Sequence, residues 1–263
     1  MDKGTFIGLL VAIGGIFAGL SLEGGRLGQI LQPTAALIVF GGTLGAVMVQ
    51  FPFSVVLAAF ASLAQVFFER GQNPLLVVKE MVGYAQKARK EGIVSLDNDV
   101  SRIKEPFLKK ALMLAVDGTE PAELRNIMEV DLENRAEREE NIPRVFESAG
   151  GFSPTIGIIG AVLGLIQVMQ HLDDIGEVGR GIAVAFVATI YGVGAANIFF
   201  LPVAGKLRMR IREEQVLKEM ALEGVISILE GMNPRMIEVK LESFLAEPRE
   251  KEAGPVEVKK GAA

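Results

Sequence analysis

The sequence has no cysteine and no tryptophan, and only one histidine and two tyrosines in 263 residues. Without cysteine there is no disulfide framework and no thiolate chemistry. A single His and no Cys also leave too few soft ligands for a zinc centre. The charges balance at 27 Lys plus Arg against 32 Asp plus Glu, a net of -5, which lends nothing to nucleic-acid binding. Charge is also missing from long stretches. Residues 4–22, 27–68, 148–170 and 181–205 carry none. Runs of that length predict helices that cross a lipid bilayer, since a helix needs about 20 apolar residues to do so.

The first run, Thr5 to Leu22, is too poorly followed by Glu23-Gly24-Gly25-Arg26 to be a cleaved leader and reads as a retained span. The second run is too long for one span. Pro33 fits a helix start and Phe51-Pro52-Phe53 a helix end, so the second span is placed at about 33–51. Residues 53–68 then form an interfacial or cytoplasmic helix; the alternative, a third span at 53–68, would be short and would invert everything downstream. Spans three and four are placed at about 152–170 and 181–203, joined by the short acidic loop 171–179. Lys206, Arg208, Arg210 and Arg212 follow at once and mark the cytoplasmic side. Counting back across an even number of spans puts both termini in the cytoplasm.

This reading predicts an all-α integral membrane protein with four transmembrane helices and a large helical cytoplasmic domain. Its parts are a first helix pair at 1–51, a cytoplasmic helical domain at 52–147, a second helix pair at 148–203, a cytoplasmic helix at 204–246 and a disordered tail at 247–263. Helical spacing is expected over Leu75 to Arg89, Pro106 to Val116 and Glu120 to Glu140, the last with an apolar stripe of Leu124, Ile127, Met128 and Leu132. Arg208 to Leu229 continues span four inward.

The spans hold GxxxG pairs at Gly15/Gly19, Gly41/Gly45 and Gly160/Gly164, with Gly157 one turn before the last. Small residues of this kind let helices pack closely in lipid. No Asp, Glu, Lys, Arg or His lies within a span. A proton relay in a membrane ordinarily needs such groups, so the chain is either no transporter or the wall around another chain's carboxylate. The polar atoms it can offer a pathway are those of Ser153, Thr155, Gln167, Thr189, Tyr191 and Asn197. Pro154 and Pro202 fall near the inner ends of spans three and four, and a pair at one depth would make a flexible inner ring. No nucleophile, base and acid can be assembled around His171, so an enzyme is not expected.

Several motifs are family-like. They are Gly24-Gly25-x-x-Gly28-x-x-x-x-Pro33, Lys87-Ala-Arg89-Lys-Glu-Gly92-Ile-Val-Ser-Leu96-Asp97, Pro154-Thr-Ile-Gly157-Ile-Ile-Gly160-Ala161-Val-Leu-Gly164, and Val187-Ala-Thr189-x-x-Gly192 running to Leu201-Pro202. With the two-span, loop, two-span layout they resemble the MotA/PomA family of flagellar motor stator A subunits, within the MotA/TolQ/ExbB superfamily, over about residues 1–245. The resemblance implies a bacterial inner-membrane stator without cofactor. Five A subunits would surround two B subunits, and each B subunit would supply the membrane aspartate. It implies an ion-pathway role for Thr189, coupling roles for Pro154 and Pro202, and contact with the rotor switch protein through Arg89 and Asp97, where the family often has Glu; Ala161 and Thr155 are taken as ion-pathway residues beside Thr189. In sodium-driven relatives a threonine often stands where this chain has Ala161. Alanine offers a hard cation no oxygen, so H+ is the expected ion, with Na+ the alternative. The other branch, the ExbB/TolQ type that energises outer-membrane processes, usually has one span before its cytoplasmic segment, and this chain has two charge-free runs there.

Overall fold

The computed structural model describes residues 2–68 and 73–245, all helix, turn and loop with no strand among them. Helix α1 is Lys3–Leu22 and α2 is Pro33–Gln50. Then come α3 at Phe53–Phe67, α4 at Pro74–Glu91 and α5 at Pro106–Val116. Helix α6 is Pro121–Gln170, α7 is Ile175–Leu229 and α8 is Pro234–Glu242. The tail expected from 247 onward lies outside the described residues.

Local chemistry explains the helix starts. Proline stands first in α2, α4, α5, α6 and α8. Its missing N–H costs nothing there, because the first amides of a helix have no partner within it. Side chains of Asp2, Asn73, Asp174 and Asn233 accept hydrogen bonds from the first-turn amides of α1, α4, α7 and α8. Helix α4 stops at Gly92, which takes a φ of 83° that a side chain would disfavour.

Four helices are long and apolar enough to cross a membrane: α1, α2 and stretches within α6 and α7. Helix α3 is apolar but only 15 residues long. Two expectations need correction. Residues 120–140 and 152–170 were assigned to separate helices, yet α6 runs through both and through Pro143. Val145, Phe146 and Ala149 bury themselves against α3 and α7 in the intervening stretch, which holds it helical. The residues 171–179 were expected to be loop, yet α7 already begins at Ile175. Asp174 caps it, and Glu177 pairs with Arg180 at 2.7 Å one turn apart, so these charges belong to the helix.

By internal contact the chain divides into two compact units. Among the described residues the first comprises 2–68 and 134–213 and contains the spanning stretches. Its larger apolar cluster joins Val47, Val56, Ala59 and Val66 to Val145, Phe146, Ala149, Val203, Ala204 and Leu207. A smaller cluster packs Ala35 and Val39 of α2 on Val187 and Ala188 of α7. No residue of α1 is buried within the chain. Large apolar side chains such as Leu10, Val49 and Phe186 are exposed there, as lipid or a neighbouring subunit requires.

Among the described residues the second unit comprises 73–133 and 214–245. Its core gathers Val78 and Met81 of α4, Phe107 and Leu112 of α5, Leu124 and Met128 of α6, Met220, Val225 and Ile226 of α7, and Ile237 and Leu241 of α8. Of the stripe expected on α6, Leu124 and Met128 are fully buried and Ile127 is exposed.

Candidate functional site

In the first unit, α6 and α7 touch along a seam of small residues. A Cβ on Gly157 would lie 2.9 Å from the Ala188 carbonyl oxygen. On Gly164 it would lie 2.7 Å from the Gly181 carbonyl oxygen, and on Gly192 2.5 Å from that of Ser153. These are backbone atoms that cannot swing aside, so the two helices approach because these positions are glycine. Of the three GxxxG pairs only Gly160/Gly164 is used in this way. Gly15, Gly19, Gly41 and Gly45 have open space at their Cβ positions among the described residues.

The polar side chains divide into two groups. Ser153 is fully buried and donates to the Gly192 carbonyl across the seam at 2.9 Å. The Tyr191 hydroxyl donates to the Ile30 carbonyl at 2.6 Å and accepts from the Gln32 N–H at 3.3 Å. It thereby satisfies non-helical backbone just ahead of α2. Thr189, Thr155 and Asn197 instead donate to carbonyls of their own helices, at Ala185, Phe152 and Val193.

Thr189, for which the resemblance implies an ion-pathway role, is half-buried at the edge of the seam. Its Cα lies 3.5 Å from the Cβ position of Gly157, one helical turn from the half-buried Ala161. The structure therefore brings Thr189 and Ala161 to one stretch of the α6–α7 edge. Thr155 is exposed.

The two prolines are not level. Pro154 packs against Gly192, while Leu201, beside Pro202, packs against Gly150. Four residues of α6 separate those levels, an offset of about 6 Å. The sequence also gave no sign of the π turn Ala195–Phe200 directly before Pro202. Proline cannot donate to the carbonyl four residues back, and a wider turn is one way to absorb that break. A cavity of about 390 Å³ opens beside this turn, lined by Thr5 and Gly8 of α1 and by Asn197, Pro202 and Lys206 of α7.

Beyond Pro202, Lys206, Arg208 and Arg210 of the basic cluster are paired. Arg208 grips Glu147 through two nitrogens at 2.5 and 2.8 Å and reaches Glu140 at 2.8 Å. This holds the Glu147 carboxyl below its ordinary range. Lys206 pairs with Asp2, and Arg210 lies 3.6 Å from the same carboxylate. The Lys206 hydrogen bond, aided by the Thr5 amide, lowers Asp2 to about 2. The start of α1 and the end of the fourth span thus meet at one edge of the first unit.

In the second unit, Arg89 and Asp97 are both exposed, on either side of the reversal at Gly92. Arg89 sits in the last turn of α4, and Asp97 opens the helical turn Asp97–Val100. Lys87 and Asp99, which the sequence reading did not single out as a pair, are half-buried and joined at 2.7 Å. Elsewhere in this unit Glu223 bonds both Arg125 and Lys240. Burial pushes its carboxyl up, and these two bonds more than offset that, so the net shift is downward.

Comparison with known proteins agrees with this arrangement. A model of the motility protein A N-terminal region matches residues 6–92, and one of the MotA/TolQ/ExbB proton channel family matches 99–220. Motility protein A of Bacillus subtilis is 35% identical over 249 residues, covering 93% of this chain and 91% of that protein. The chain belongs to the MotA/PomA flagellar stator family. Two solved stator structures share the fold of this MotA-type chain. The C. jejuni MotAB structure matches with a TM-score of 0.89 and 31% identity, over 96% of this chain and all of that one. The flagellar MotAB stator complex of Bacillus subtilis matches with a TM-score of 0.83 and 34% identity, over 92% and 96% of the two chains.

Proposed function

We propose that this chain is the A subunit of a bacterial flagellar stator, forming with a B-type subunit a proton channel that turns ion-motive force into torque on the rotor. One observation carries the reading beyond family membership. The charge-free cores of all four spans hold no Asp, Glu, Lys, Arg or His. A lone ion in lipid is too costly, so a carboxylate must come from a partner helix. The two solved structures that share the fold are of MotAB complexes, which supports a B subunit as that partner. The assembly is a pentamer of this chain around a B dimer in the inner membrane. Its rotor contact is the switch protein.

The residue roles follow the same reading. Protonation neutralises the partner's carboxylate and lets its helix slide against apolar neighbours, and deprotonation restores its attraction to a wet path. Thr189 and Ala161 border that path, with Thr155 nearer its inner mouth. The Thr189 hydroxyl keeps lone pairs for water while donating to Ala185. Pro154 and Pro202, with the π turn between Thr189 and Pro202, supply the compliant stretch that passes the change inward. Arg89 and Asp97 face the rotor. The 206–212 basic cluster and its pairing with Asp2 support cytoplasmic placement of both termini.

The test is motility of cells whose only stator is this chain with its cognate B subunit, measured against sodium and against the proton gradient. Swimming that persists without sodium and stops when the proton gradient collapses supports the assignment. Swimming that requires sodium and survives that collapse overturns it, and with it the use of Ala161 as a guide to the ion.

A further inference from the structure

The charged turn at the end of α4 contains two kinds of charge. Arg89 and Asp97 are exposed, whereas Lys87 and Asp99, each two residues away, retain only 32% and 26% of their side-chain exposure. Residues two apart in a helix point in nearly opposite directions. One pair is therefore displayed outward and the other is turned toward the body of the unit. The inward pair is bonded, Lys87 Nζ to Asp99 Oδ2 at 2.7 Å.

The backbone between them is built to reverse direction. Gly92 carries the positive φ, the 3-10 turn Ile93–Leu96 follows, and the helical turn Asp97–Val100 completes the return. Leu96 is fully buried and Val100 nearly so, packed in the same cluster as Ala85 of α4. Those apolar contacts hold the floor of the turn and leave its outer arms tied by side chains. Tyr84, one turn before Lys87, donates to Glu80 at 2.7 Å. Burial, with the Glu80 and Asp99 carboxylates close by, pushes its phenol up. The Lys87 bond directs the Asp99 carboxylate at α4.

We propose that Lys87 and Asp99 form a clamp across the Gly92 reversal that fixes the spacing and direction of Arg89 and Asp97. They act as positioning residues and do not themselves touch the rotor. The proposal rests on the reading of Arg89 and Asp97 as rotor-facing. A force-transmitting charge must keep its place under load. A glycine-hinged turn with one loose arm would let the Arg89 and Asp97 charges swing apart and blur the contact each makes.

The test uses the full chain with its B subunit in cells lacking any other stator, reading torque on tethered cells, proton influx and membrane level of the chain. Lys87→Asp and Asp99→Lys singly are expected to cut torque several-fold while influx and membrane level stay unchanged. Combining them reverses the pair and is expected to restore at least half of the torque, which a merely tolerated surface change would not do. Lys87→Arg, which keeps charge and reach, should retain torque. Full torque in both single variants, a combined variant as weak as either single, or loss of torque in Lys87→Arg overturns the clamp. Arg89→Glu and Asp97→Lys are run alongside. Full torque in both, singly and together, overturns the rotor-facing reading itself. Loss of torque there with full torque in the Lys87 and Asp99 singles overturns only the clamp.

Discussion

Ser153 donates its hydroxyl to the carbonyl oxygen of Gly192, 2.9 Å away on the facing helix. The bond is fully buried, stands one residue from Pro154 and lies three residues before the π turn of α7. It ties the closest backbone approach of the seam to the place where α7 changes pitch. Ser153→Ala removes this donor while the Ala195 N–H still bonds the Gly192 carbonyl, so the loss is that of one net hydrogen bond, about 0.5–1.5 kcal/mol. A thermal melt of the detergent-solubilised complex should shift down accordingly. Gly192→Val should be worse, because its Cβ would meet the Ser153 carbonyl oxygen at 2.5 Å. A Gly192→Val protein as stable as the parent would show that the seam is not closed there.

Tyr191→Phe keeps the ring and loses the bond to the Ile30 carbonyl at 2.6 Å. The irregular backbone ahead of Pro33 then lacks its side-chain partner at the membrane. The expected loss is about 1–3 kcal/mol, read as a lower melting temperature and faster protease nicking within residues 23–32. Unchanged nicking would argue that water replaces the phenol without cost.

The Asp2 latch has a definite pH dependence. Lys206 depresses the Asp2 carboxyl from 3.8 to about 2 in the folded chain. A depressed folded-state pKa means stability that is present above the unfolded value and fades as pH falls through the folded one. The parent should therefore exceed Asp2→Asn in stability by a constant margin at neutral pH. The margin should shrink between about pH 4 and about pH 2. A margin that instead grows on acidification would contradict the pairing with Lys206.

Orientation is testable because the chain has no cysteine of its own. An Ile175→Cys thiol, at the exposed start of α7, should react with an impermeant reagent added outside intact cells. Reaction only after the cytoplasm is opened would invert the proposed placement of both termini.

The spans were legible in the sequence because lipid excludes charge, although the charge-free run 27–68 exceeds one span and was divided only by Phe51-Pro52-Phe53. Where legibility failed, the missing information was tertiary. Asp174 and Glu177 looked like loop because charge alone was counted, although a capping Asp and a Glu177–Arg180 pair one turn apart are helix-start signals. Glycine spacing flagged three pairs equally, and only the facing helix shows that Gly160/Gly164 is in contact. The π turn Ala195–Phe200 leaves no compositional trace. Tyr191 and Ile30 are 161 residues apart, so their bond follows from the packing of α2 on α7 and not from any local pattern. The Thr189 and Thr155 hydroxyls donate to carbonyls of their own helix, a bond open to any threonine in a span and one that leaves their lone pairs as acceptors, so it could not be told from the sequence.

The central claim is that this chain forms the wall of a channel whose titrating carboxylate belongs to another chain. The most direct measurement is proton influx into vesicles holding this chain alone, this chain with its B subunit, and this chain with a B subunit whose membrane aspartate is replaced by asparagine. The account predicts influx only in the second preparation. Influx carried by this chain alone, or undiminished after the partner's aspartate is lost, would contradict it.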